Sequence, residues 1–72
     1  MKVKVSSIDD VIEVVKKIKE CSGDDEAAHC LEDDLRFEVL CYIAQFSTED
    51  KIRKMALEAI QTESIDFARW CA

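Results

Sequence analysis

Apolar residues recur along this chain every three to four positions, the spacing that sets side chains on one side of an α-helix. Ile8, Val11, Ile12, Val15 and Ile18 make the first such run, preceded by Ser7 and Asp10 at the spacing of a capping box. The pattern predicts a helix over residues 8–20. Asp9 and Asp10 stand at the positive end of its dipole and Lys16, Lys17 and Lys19 at the negative end. Ser22 and Gly23 should stop it, because glycine can take the left-handed capping conformation.

From Asp24 onward, Ala27, Leu31, Leu35, Val39 and Ile43, flanked by Ala28, Tyr42 and Phe46, repeat without a breaker. They predict one long central helix. Ser47 followed by Asp50 marks a further start, with Ile52, Met55, Ala56, Ala59 and Ile60 on the stripe of a third helix. Residues 62–64 can end that helix, leaving Ser64 to cap a last turn that holds Ile65, Phe67, Ala68 and Trp70. A third helix running on through Trp70 is the competing reading. Residues 1–5 alternate apolar residues with lysine, which suits a short strand with no partner strand in the chain. Such a strand either frays or pairs across a dimer.

The expectation is one all-α domain over residues 1–72: a small bundle of three to four helices around a long central helix, with room for a short N-terminal strand. With 72 residues the chain buries only about 60% of its unfolded surface, so support from a second subunit, and hence a homodimer, is expected. Nearly half of the residues are apolar, with one glycine and no proline, a composition that folds. No apolar segment follows the N-terminal lysines as in a secretory signal, and no apolar run reaches the roughly 20 residues that span a membrane. A cytoplasmic protein is expected. Cys21, Cys30, Cys41 and Cys71 lack C-x-x-C spacing and read as reduced thiols.

Charge adds a feature that periodicity does not. Asp24, Asp25, Glu26, Glu32, Asp33 and Asp34 fall within eleven residues that hold no lysine or arginine. The other ten acids are matched by the ten bases, so this segment carries the whole net charge of -6. A solvated helix face accounts for it most simply. The sharper reading is a docking surface for a basic protein partner, with charge speeding the encounter. Direct binding of nucleic acid is not expected without a basic patch.

His29 has Asp25 and Glu26 one turn before it and Glu32 and Asp33 one turn after, so a hydrogen bond to a carboxylate is expected. Glu26 and His29 also have the i, i+3 spacing of metal-binding helical bundles, and a metal-binding oligomer that uses them is the alternative function. No cofactor is implied. No nucleophile elbow, glycine-rich phosphate loop or catalytic pair of carboxylates is present, so an enzyme is not expected. Near the C-terminus, Asp66 with Arg69 and Phe67 with Trp70 are i, i+3 pairs. They either close the core or, through Arg69 and Trp70, anchor a partner.

The stretch Glu26-Ala27-Ala28-His29, with Glu32, Asp33 and Leu35 after it, and the ending Ile65-Asp66-Phe67-Ala68-Arg69-Trp70-Cys71-Ala72 resemble a group of small bacterial and phage-borne proteins of unknown function. The resemblance implies a cytoplasmic protein of bacteria or their mobile elements. It points to Glu26, His29, Asp66, Arg69 and Trp70 as positions to test, and to one surface shared by the acidic strip and the D-F-x-R-W turn.

Overall fold

The computed structural model describes residues 3–65. Among them it contains α1 (Ile8–Glu20), α2 (Asp25–Phe46) and α3 (Asp50–Ile60), then a 3₁₀ turn over Gln61–Ser64, and no strand. The chain is all-α. Helix α2 is the long element, and α1 and α3 each pack on it without touching one another.

Local chemistry explains the boundaries. The Ser7 hydroxyl accepts from the Asp10 N–H at 3.2 Å, as the capping-box spacing requires. The Asp10 carboxylate reaches back one residue further than expected, accepting from the Ser6 N–H at 2.8 Å and the Ser6 hydroxyl at 2.7 Å. Asp24 caps α2 by accepting from the Ala27 N–H at 3.2 Å. Ser47 does not cap α3: it ends α2, and its hydroxyl accepts from the Glu49 N–H at 3.2 Å, leaving Glu49 as an N-cap without a side-chain bond. The Ser47 hydroxyl thus steers the short connection instead of the helix start. Gly23 does not adopt the left-handed conformation either. The turn after α1 closes through the Asp24 N–H to the Cys21 carbonyl at 2.9 Å, a geometry open to any L-residue.

The core is thin. Val3, Val14, Leu31 and Leu35 are buried together, with Val5, Val11, Ile18, Cys21 and Val39 packed against them. The predicted stripe of α1 is therefore rotated. Val14, which the stripe omitted, faces α2, whereas Ile8 and Ile12 are 70% and 56% exposed. Residues 3–5 form no strand; Val3 instead plugs the cluster beside α1 and Leu31. On α2, the predicted line of Leu31, Leu35 and Val39 meets α1's cluster. Phe37, Leu40, Cys41 and Ala44, half-buried, lie roughly 170° around the helix from that line at ~100° per residue. Helix α3 buries Ala56. Ile65 is extended, so no helix continues from α3 through it, and Asp66, Phe67, Arg69, Trp70 and Cys71, with the contacts expected of them, lie outside the described residues.

Three helices side by side make a plate of 39 × 32 × 15 Å, whose thinnest dimension is little more than the ~10–12 Å width of one helix. Its radius of gyration of 13.3 Å exceeds the roughly 11 Å of a compact domain of this length. No described helix is long and apolar enough to cross a membrane.

Two substitutions test this packing. Leu35→Ala should lower unfolding stability by about 2–5 kcal/mol, read by urea melts, because so small a core has no spare contact. Gly23→Ala should be neutral or stabilising by up to about 1 kcal/mol, since nothing lies within 4 Å of the added methyl and no positive φ is required. Marked destabilisation by Gly23→Ala would mean that the turn is left-handed after all.

Candidate interaction surface

The acidic residues singled out by the charge pattern sit on the N-terminal half of α2, and the helix divides them. Asp24 is spent as the cap. Asp25, His29 and Glu32 border an open groove beside α1, together with Ala28 and with Ile18 of that helix. Glu26, Cys30, Asp33 and Asp34 are exposed on the flank turned away from α1, and Asp34 and Cys30 line a shallow recess with Ala27 and Leu31.

Helix α3 has 11 residues against the 22 of α2, so it cannot cover the whole length of its neighbour. Phe37, Leu40, Cys41 and Ala44 occupy the half-buried part of the outer flank, and the acids occupy the rest.

Internal pairing neutralises part of the charge. Glu32 meets Arg36 at 3.2 Å and Asp33 meets the His29 Nε2 at 3.3 Å, each one turn apart. The expected carboxylate partner of His29 is thus Asp33. Among the described residues Glu26 and Asp34 have no ion-pair partner. Glu26 and His29 are not in contact through a hydrogen bond or ion pair, and the described residues bring no three metal-ligating side chains together. A metal site built on this pair would need ligands from outside the described residues.

Other ionisable groups serve the fold. Hydrogen bonds from the Ser6 hydroxyl and Ser6 N–H hold the Asp10 carboxyl below its ordinary value of 3.8. Lys54 and Arg53 do the same for Asp50, binding it from one turn away, Lys54 at 3.1 Å. Burial, helped by Glu38 and Glu63, pushes the Cys41 thiol above 9.0. Half-buried Cys41 is therefore expected to react more slowly than exposed Cys30.

The charge pattern missed the exposed apolar residues: Ile8, Ile12 and Val15 on α1, Phe46 at the end of α2, and Ile52, Met55 and Leu57 on α3. A signal for the first group was present. Ile8, Val11, Ile12, Val14, Val15 and Ile18 cover an arc of roughly 160°, wider than the ~100° stripe that a single neighbour needs.

No family model, curated protein or solved structure matches the chain, so the surface is read from its own chemistry.

Two measurements follow. In an NMR pH titration the Asp10 carboxyl should have its midpoint below 3.8 and move up toward it in Ser6→Ala. Because its folded value is depressed, this cap contributes stability above pH 3.8 that is lost as pH falls through the folded midpoint. A wild-type midpoint at or above 3.8 would contradict the capping geometry. With a limiting alkylating agent at neutral pH, peptide mapping should find Cys30 modified before Cys41; the reverse order would contradict their placement.

Proposed function

We propose that this protein acts by binding and not by chemistry: it is a small adaptor- or inhibitor-like module whose acidic flank of α2 docks a basic protein. The observation that carries the reading is the N-terminal half of α2, where Glu26, Asp33 and Asp34 stand exposed and, among the described residues, Glu26 and Asp34 have no ion-pair partner. A helix holds these carboxylates in fixed register, so little backbone order has to be gained on binding. Clustered charge of one sign steers an oppositely charged partner and raises its rate of encounter. The shallow recess at Ala27, Cys30, Leu31 and Asp34 offers a small apolar foothold beside the charge.

The partner implied is a protein with a lysine- or arginine-rich surface, including one whose own task is to bind phosphate-rich molecules. Asp24 supports the flank by capping its helix, while Asp25, His29 and Glu32 lie in the groove on the other side of α2.

A partner captured from the native host by wild-type protein should associate at least about tenfold more slowly with the triple variant Glu26→Gln, Asp33→Asn, Asp34→Asn, and added salt should shrink the difference. Circular dichroism should show the variant's helices intact. Equal capture and equal rates for both proteins would remove the acidic flank from the account.

A further inference from the structure

The outer side of α1 is an exposed apolar surface that the fold leaves without a purpose. Ile8, Ile12 and Val15 fall within roughly 60° of one another around the helix, and the face also carries Val11, Lys16 and Lys19. It lies about 100° from Val14 and Ile18, which already serve the contact with α2. In a chain this short, such apolar residues would normally be the core.

Area says how large a partner is missing. The chain exposes 5791 Å², whereas a compact monomer of 8.2 kDa exposes about 4,500 Å². The excess, roughly 1,200–1,300 Å², is shared between α1 and the exposed apolar residues of α2 and α3, and it is larger than the ~800 Å² that each partner gives to a standard interface.

Charge says which partner fits. The face on α1 carries lysine at positions 16 and 19 and no acid. The groove that follows it around Ile18 ends on Asp25, His29 and Glu32 of α2; Glu32 is already paired with Arg36, whereas Asp25 has no ion-pair partner among the described residues. One copy thus presents an apolar and basic strip beside an acidic edge. A two-fold axis running between α1 and α2 sets each strip against the other copy's edge, as a self-complementary interface requires. We propose that a second copy of this chain covers the α1 face, with Ile12 near the centre of the contact and Lys16 and Lys19 opposite the partner copy's acidic α2 edge.

This contact leaves Glu26, Asp33 and Asp34 of the outer flank open, so it does not rest on the docking function proposed above. The dimer would carry two such flanks.

Sedimentation equilibrium of the full chain tests it. Wild type should be a dimer, and Ile12→Glu should be a monomer with the same helical circular dichroism, because Ile12 is already more than half exposed within one copy. The double variant Lys16→Glu, Lys19→Glu alters only solvent-facing positions and should weaken dimerisation at least about tenfold, an effect that fades at high salt. A monomeric wild type, or an Ile12→Glu protein that remains dimeric, would overturn the inference. A monomer that still captures a basic protein through its outer flank would overturn it while leaving the docking function in place.

Discussion

Everything in this fold depends on one helix serving two neighbours that never meet. Helix α2 gives Leu31, Leu35 and Val39 to α1 and offers a second half-buried strip about half a turn away. Since α1 and α3 do not touch, no described residue is packed between all three helices. Even the most buried side chains retain a few per cent of their exposure. Apolar burial is the main force opposing the entropy of ordering the chain, so a plate of this kind approaches the limit of independent stability. The caps at Ser7 and Asp24, and the plug formed by Val3, matter more here than in a larger domain.

Much of this was legible along the chain. The period of the apolar residues located all three helices, and Ser7 and Asp24 marked two of their starts because a side-chain oxygen satisfies a backbone N–H there. Rotation was not legible. Period alone cannot say which part of a wide apolar arc faces a neighbour, and Val14 displaced Ile8 and Ile12 from the α1 contact. Nor could the stripe on α2 reveal that a helix between two neighbours needs apolar residues on both sides. Gly23 and Ser47 show the same limit on a smaller scale. Each residue type permits a capping conformation, but tertiary context chose an ordinary turn for one and a hydroxyl-bridged connection for the other.

The acidic segment was also visible from composition, but not its division by the helix. A turn of 100° per residue separates Glu26, Asp33 and Asp34 from Asp25, His29 and Glu32, so a single run of acids becomes two surfaces with different neighbours. One borders the apolar and basic side of α1; the other is exposed on the flank turned away from it.

The proposed second copy on the open side of α1 is tested most directly by the dependence of the thermal midpoint on protein concentration. If folding is coupled to that association, the midpoint rises steadily as concentration increases, because mass action favours the covered state. A midpoint that stays constant over the same range would mean that the single layer is stable alone and that the apolar side of α1 needs another explanation.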